Sequence, residues 1–148
     1  MKILIDADAC PVKDIIIEMA KKYAIDSIFV CSISHYSSYY EEHGINPVYV
    51  DNVSQSADLA IINKARVGDI VVTGDYGLAA VVLAKGAYAI SFHGKIFDNN
   101  IIDDLLSKRH EALKSIRSGG RIKGPRKRTA QDDMEFLGVL ERLLNRII

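Results

Sequence analysis

The sequence predicts an α/β fold in which a parallel sheet is covered by helices on both faces. Short apolar or β-branched segments alternate with segments whose apolar residues recur at helical spacing. Acidic residues directly follow two of the apolar segments, which is typical of buried strands that end at one edge of a sheet. No apolar run reaches the roughly 18 residues that a membrane span needs, and we expect a cytoplasmic protein.

Five strands are predicted before residue 93. They share apolar, β-branched or aromatic residues and cover residues 2–5, 27–32, 47–50, 69–73 and 87–92. Helices are predicted between them: one from Pro11 to Tyr23, one from Ser54 or Ser56 to Ala65, and one from Asp75 to Gly86. A polar, tyrosine-rich segment at residues 35–43 predicts a further short helix.

The region after residue 92 breaks this alternation. We interpret the chain as a single domain, with residues 1–92 forming the α/β core and residues 93–148 a helical extension. Helices are predicted over residues 100–116 and 130–147, separated by a basic loop at 117–129. Thr129 and Asp132 have capping-box spacing. The last helix is expected to dock through apolar residues at helical spacing, namely Met134, Leu137, Leu140, Leu144 and Ile148.

The formal net charge of zero hides a strong asymmetry. Residues 1–107 hold eight Lys/Arg and 14 Asp/Glu, whereas residues 108–128 hold nine Lys/Arg and one acid. An acidic body with a basic segment indicates an anionic partner for that segment. Cys10 and Cys31 are too few for a zinc site, and we expect both to be small buried side chains.

Four aspartates are the candidate site residues. Asp6 and Asp8 follow the first strand, and because side chains alternate with a period of two, both point the same way. Asp75 follows the fourth strand, although it is also a favoured helix N-cap. In a sheet ordered 3-2-1-4-5 these strands are neighbours at the switch point where α/β folds bind ligands. Asp58, in the first turn of the preceding helix, opens at the same edge.

Two carboxylates side by side repel each other unless a cation or a proton lies between them. Asp6, Asp8, Asp58 and Asp75 are hard oxygen ligands without a nearby cluster of Cys or His, so the sequence predicts a Mg²⁺ or Mn²⁺ site. His35 and His93 both follow strands at this edge. They are candidates for phosphate contact or proton relay, although an ordinary surface or cap histidine is the favoured interpretation of each.

The strings ILIDADACPVK, SADLAI, GDIVVTGDYGLA and RSGGRIKGPRKRTAQDDMEFLGVLERLL together resemble the YaiI/YqxD family of uncharacterised bacterial proteins over essentially the whole chain. That family is placed among the PIN-like domains, whose characterised relatives are metal-dependent nucleases. The resemblance implies a three-layer αβα sandwich with the 3-2-1-4-5 sheet, and acidic metal and catalytic residues at Asp6, Asp8, Asp58 and Asp75. One departure is that many such nucleases carry a glutamate as the middle acid, and this chain has none in an equivalent place.

Three functions follow from these features. The first is a nuclease that uses bound Mg²⁺ or Mn²⁺ to activate water against RNA, or less favourably DNA. The second is a non-catalytic module that binds nucleic acid or protein. The third is a haloacid-dehalogenase-like phosphatase, which also begins with a strand and two aspartates, but here Cys10 and Pro11 follow them and the segment GDYGLA lacks the expected second acid. The resemblance to PIN-like domains also raises the expectation of a homodimer.

The basic loop is the candidate nucleic-acid contact. It carries six Lys/Arg and no acid, and its Gly and Pro residues deny it regular structure. A phosphate-tracking arm and a plain solvated loop both fit this pattern. The candidate phosphate ligands are the six basic residues Arg117, Arg121, Lys123, Arg126, Lys127 and Arg128.

Overall fold

The computed structural model describes residues 1–53, 55–117, 119 and 126–148, and for Ile116 and Arg117 it describes the backbone. Its strands are β1 (Lys2–Asp6), β2 (Asp26–Ser32), β3 (Val48–Val50), β4 (Ile70–Val72) and β5 (Tyr88–Ile90). Its helices are α1 (Lys13–Lys22), α2 (Tyr39–Glu42), α3 (Ser56–Lys64), α4 (Tyr76–Ala84), α5 (Asn99–Arg117) and α6 (Ala130–Ile147), and a short 3-10 helix (Ile33–His35) follows β2.

The five strands form one parallel sheet in the order β3-β2-β1-β4-β5, which confirms the predicted α/β topology. Ile3, Leu4 and Ile5 of β1 are all fully buried. A continuous apolar run is what a central strand needs when helices cover both faces of a sheet.

The two faces of the sheet have separate cores. On one face, alternate strand residues such as Ile5 and Phe29 pack with α1 and α6. On the other face, Leu4, Val30 and Val71 pack with α3, α4 and the first part of α5. The chain leaves β1 on the first face and leaves β4 on the second, so the point between these strands is a topological switch point.

The last helix docks through a stripe that overlaps the predicted one, and Leu137 packs against the core as expected. Its capping box is confirmed, since Thr129 Oγ1 accepts the Asp132 amide and the Asp132 side chain accepts the Thr129 amide. Leu140 and Leu144 are buried as expected, together with Phe136 and Leu143. Met134 and Ile148 are instead each 66% exposed, so their assignment to the docking face was wrong.

The reason for this difference lies in the helical period. Met134 lies two residues before Phe136, about 200° away around the helix, and therefore faces solvent. Ile148 lies beyond the last helical residue, Ile147. Within the described ranges, no helix is both long and apolar enough to cross a membrane.

Candidate functional site

Asp6, the last residue of β1, is joined to the end of β4 by the buried hydroxyl of Thr73. Thr73 Oγ1 donates to Asp6 Oδ2 over 2.9 Å and accepts the Asp75 amide over 3.0 Å. Burial raises the pKa of Asp6, and the charges of Asp8 and Asp75 raise it further, while the bond from Thr73 partly opposes them. One hydroxyl therefore holds two of the predicted residues at a common edge.

Asp75 is the N-cap of α4, and its Oδ1 accepts the amides of Gly77 over 2.8 Å and Leu78 over 3.2 Å. Asp58, in the first turn of α3, approaches it from the side. Burial raises the pKa of Asp58, as do the charges of Asp75 and Asp6 and a side-chain hydrogen bond to Asp75. Two elements that are separate in sequence thus bring their carboxyl groups close enough for Asp75 to raise the pKa of Asp58.

Asp8 is held at the end of β2. Its Oδ1 accepts the Ser32 amide over 2.9 Å and lies 3.5 Å from His35 Nδ1. His35 Nδ1 lies 2.7 Å from Ser32 Oγ, so the serine and the aspartate share one ring nitrogen. This is not the arrangement of a catalytic triad, in which the two partners use opposite ring nitrogens.

The four aspartates thus lie at one edge of the sheet, but they are not arranged as a preformed metal site. Asp6, Asp58 and Asp75 interact mutually, and Asp8 acts on Asp6 by its charge. Across the part of the chain that is described, no three His, Cys, Asp or Glu side chains form a group that could hold a metal ion as they stand. His93 is farther away and lines a separate cavity with Gly94 and α6.

Two cavities meet at Asp58 and Gln55. A cavity of 300 Å³ on the β2 and β3 side is lined by Asp8, His35 and other polar residues. A cavity of 660 Å³ on the other side lies between α3 and α4 and is also lined by Asp75 and Arg109. Both volumes fall in or near the range of about 300–1,000 Å³ that small-ligand sites occupy.

The basic segment is only partly described. Arg121 and Lys123 lie outside the described residues, as does the side chain of Arg117. Arg126 makes a bidentate pair with Asp132 over 3.0 and 2.6 Å. Arg128 donates to Asp133 over 2.8 Å and to the Phe92 carbonyl over 2.7 Å.

These contacts give two of the predicted phosphate ligands a structural role. Arg126 and Arg128 fasten the start of α6, and Arg128 ties it to the end of β5. Lys127 between them is exposed, with no hydrogen bond or ion pair to the described residues.

Sequence reasoning missed three residues that shape this edge. Thr73 was assigned only as the last residue of a strand, although a buried hydroxyl next to a Gly-Asp turn is a signal of a polar contact. Ser32 contributes its backbone amide, which has no sequence signal. Arg109 reaches the larger cavity only because α5 packs beside α4.

A family model described as "Uncharacterized BCR, YaiI/YqxD family" matches residues 4–146. The chain belongs to the YaiI/YqxD family. It is similar to the UPF0178 protein of Alkaliphilus metalliredigens, with 42% identity over 146 residues that cover 99% of this chain and 93% of that protein. No solved structure matches the chain at a comparable level of significance.

Two further relatives also match this chain over about nine tenths of both lengths or more. The UPF0178 protein of Oceanobacillus iheyensis is 45% identical over 136 residues, which cover 92% of this chain and 93% of that protein. The UPF0178 protein of Clostridium tetani is 49% identical over 135 residues, which cover 90% and 89%. Neither name states an activity, so the function of a YaiI/YqxD protein has to be argued from its site.

Proposed function

We infer that this YaiI/YqxD protein is a nuclease that hydrolyses a phosphodiester bond with Mg²⁺ or Mn²⁺ held at the carboxylate edge. The observation that carries the inference is the convergence of Asp6, Asp58 and Asp75 from three separate elements. Burial raises the pKa of both Asp6 and Asp58, and the charges of neighbouring aspartates raise it further. A fold gains nothing in stability from carboxylates placed to repel one another, which favours a role in binding a cation.

The chemistry of the donors fits a hard divalent ion. Asp6, Asp58 and Asp75 offer carboxylate oxygens alone, and Cys10, the thiol closest in sequence, is buried with its pKa raised to about 11, mainly by that burial. Oxygen donors without thiolate or imidazole suit Mg²⁺ or Mn²⁺ rather than zinc. When bound, the ion would supply positive charge for phosphate oxygens and acidity for water.

The residues at this edge would have two roles, which are binding of the ion and contact with the phosphate. Asp6, held in place by Thr73, and Asp58 would bind the ion, together with Asp75, whose Oδ1 also caps α4. Asp8, whose Oδ1 accepts the Ser32 amide, would be a further ligand through its Oδ2. His35 lies beside Asp8 with a half-exposed ring and could hydrogen-bond a phosphate oxygen.

The test is cleavage of an internally labelled oligonucleotide in the presence of Mn²⁺. Asp6→Asn and Asp58→Asn should each lower the rate by about a hundredfold or more, since a change of even an outer partner of a metal site costs 10–100-fold. Asp26→Asn is the matched control, because Asp26 is exposed at the start of β2, at the opposite edge of the sheet. It should cleave at the wild-type rate.

Metal binding is measured separately by melting. Mn²⁺ should raise the melting temperature of the wild type and of Asp26→Asn, and it should raise that of Asp6→Asn much less. A wild-type protein that leaves the oligonucleotide intact and melts at the same temperature with and without Mn²⁺ overturns the proposal. The protein would instead be a phosphatase if it releases phosphate from p-nitrophenyl phosphate and if beryllofluoride, which mimics an aspartyl-phosphate, binds tightly at Asp6.

A further inference from the structure

A groove between α3 and α4 leads away from the candidate metal site. We call it the α3–α4 groove. It is the 660 Å³ cavity lined by Asp58 and Asp75 at the N-terminal ends of α3 and α4, by Leu59, Ile62 and Val81 farther along these helices, and by Arg109 on α5. Its lining therefore combines two carboxylates, apolar side chains and a guanidinium.

Two apolar residues of the groove are open to solvent. Leu59 is 57% exposed and Val81 is 43% exposed, and they come from two different helices. Single exposed apolar residues need no explanation, but two that line one cavity beside a charged site mark a surface for an apolar ligand group.

Arg109 adds a charge of the opposite sign to that of the two aspartates. Its side chain is exposed, and within the described residues it makes no ion pair, whereas its neighbour Lys108 pairs with Asp104 over 3.0 Å. Arg126 and Arg128 likewise have carboxylate partners inside the chain. Arg109 is therefore available to an anion that enters the groove.

We propose that the α3–α4 groove binds the nucleotide next to the scissile phosphate, with its base on Leu59 and Val81 and its phosphate on Arg109. The proposal rests on the function proposed above and adds a subsite to it. A base is a flat, largely apolar ring system joined to an anion, which matches the two kinds of surface in the groove. A guanidinium is also the side chain best suited to phosphate.

The groove also specifies the form of the nucleic acid. In a duplex the base is stacked and paired, and it reaches an apolar side chain only after it has been flipped out at a cost of a few kcal/mol. In a single strand the base is free to leave its neighbours and lie on the protein. The preferred substrate is therefore unpaired at this nucleotide.

The experiment measures binding of a short labelled single strand by fluorescence anisotropy in Mn²⁺, with the integrity of the strand checked on a gel. A second strand carries one abasic nucleotide beside the central phosphate, and a third is annealed into a duplex. The variants are Leu59→Gln and Arg109→Gln. Their controls are Val67→Gln and Arg146→Gln, since Val67 is 82% exposed just before β4, Arg146 is exposed at the end of α6, and neither side chain lines the groove.

Leu59→Gln should weaken binding of the intact strand about fivefold, the low end of what contact with one base contributes. It should no longer distinguish the intact strand from the abasic one. Arg109→Gln should reduce the slope of log affinity against log salt by about 0.7, the share of one phosphate in a single strand. The duplex should bind wild type at least about tenfold more weakly, and both controls should match wild type.

Equal affinity of wild type for the intact, abasic and duplex forms would overturn the groove proposal, as would Leu59→Gln and Arg109→Gln variants that match wild type. The gel keeps this result apart from the proposed function. A strand that is cut by wild type while the two variants bind normally refutes the groove alone. A strand that stays intact while the variants bind weakly refutes catalysis and leaves the groove in place.

Discussion

Asp69 and Asp132 have the same side chain as Asp6 and Asp58 but an opposite environment. The Asp69 carboxylate, at the N-terminal edge of the sheet, accepts hydrogen bonds from Lys2 and from the Arg66 amide. Burial alone would raise the pKa of Asp69, but these bonds outweigh it and lower the pKa. Asp132 is bonded to Arg126 and Thr129, and its pKa is also lowered.

The two aspartates at the C-terminal edge have no such partners. In the ranges that the structure describes, no lysine or arginine forms an ion pair with Asp6 or Asp58, and their pKa values are raised. The chain therefore can supply a cation to a buried carboxylate, and does so at Asp69 and Asp132. That it leaves Asp6 and Asp58 without one supports the cation proposed for this edge.

The largest test of this comparison replaces one aspartate at each edge. Asp69→Asn leaves Lys2 without its partner and should lower the free energy of unfolding by about 3 kcal/mol, as expected when one side of a buried ion pair is removed. Asp6→Asn removes a repelling charge and keeps an oxygen for Thr73, so it should raise the stability of the metal-free protein. Urea denaturation in EDTA measures both. A loss of stability in Asp6→Asn as large as that in Asp69→Asn would show that both carboxylates are structural.

A second test concerns the hydroxyl that joins the two sides of the site. Thr73→Val keeps the shape of the side chain, but it removes the hydrogen bond to Asp6 and leaves the Asp75 amide unpaired. A buried hydrogen bond of this kind contributes about 1–2 kcal/mol. We also expect the affinity for Mn²⁺ to fall about tenfold, because Asp6 loses the group that orients it.

Thr73→Ser retains a hydroxyl and is the matched control for that substitution. It should keep most of the affinity for Mn²⁺ by isothermal titration. If Thr73→Val loses stability but binds Mn²⁺ as tightly as Thr73→Ser, the bridge is structural and Asp6 does not depend on it.

The pH dependence of stability provides a further test. The pair Asp69 and Asp132 and the pair Asp6 and Asp58 should change the stability of the fold with pH in opposite directions. Asp69 and Asp132 have lowered pKa values and stabilise the fold above the ordinary value of 3.8, so their contribution is lost as the pH falls through their folded-state values. Asp6 and Asp58 have raised values, so the folded state binds more protons, and stability declines as the pH rises above 3.8.

The double variant Asp6→Asn/Asp58→Asn should therefore lose less stability than wild type as the pH rises from about 4 to 6 in EDTA. The physical reason is that the two raised carboxyl groups no longer titrate in this window. Urea midpoints across the window measure the effect. Parallel curves for the two proteins would mean that the pKa values of Asp6 and Asp58 are not raised in the folded state.

The parts of this picture that the sequence predicted are those that depend on local pattern. The apolar run of β1 and the alternation of strands and helices predicted the αβα sheet, and the placement of Asp6 and Asp75 just after strands predicted the edge they occupy. The capping box of Thr129 and Asp132 needs only a fixed spacing of three residues. Each of these features is encoded within a few neighbouring positions.

The parts that were missed depend on partners that are distant in sequence. Thr73 and Asp6 are separated by 67 positions, and only the pairing of β1 with β4 brings them together. The pattern of charges marked Arg126 and Arg128 as candidate phosphate ligands, but it does not reveal that Asp132 and Asp133 lie beside them once α6 forms. Composition gives the number of charges in a segment, whereas tertiary structure decides which of them are already paired.

The smallest expected effect concerns basic side chains, which can be compared in the same way as the aspartates. Arg126 and Arg128 are paired with the start of α6, whereas Lys127 between them is exposed and, as far as the structure describes the chain, unpaired. Lys127→Gln should therefore reduce the slope of log affinity against log salt by about 0.7 for a single-stranded oligonucleotide. Arg126→Gln should instead lower the melting temperature, because Asp132 would remain buried without its cation. Lys21→Gln on α1 removes an equally exposed lysine away from the site, and it should leave both the slope and the melting temperature unchanged. If the slope falls in Arg126→Gln and not in Lys127→Gln, the ion pair with Asp132 opens when nucleic acid binds, and being paired within the chain does not exclude a base from the interface.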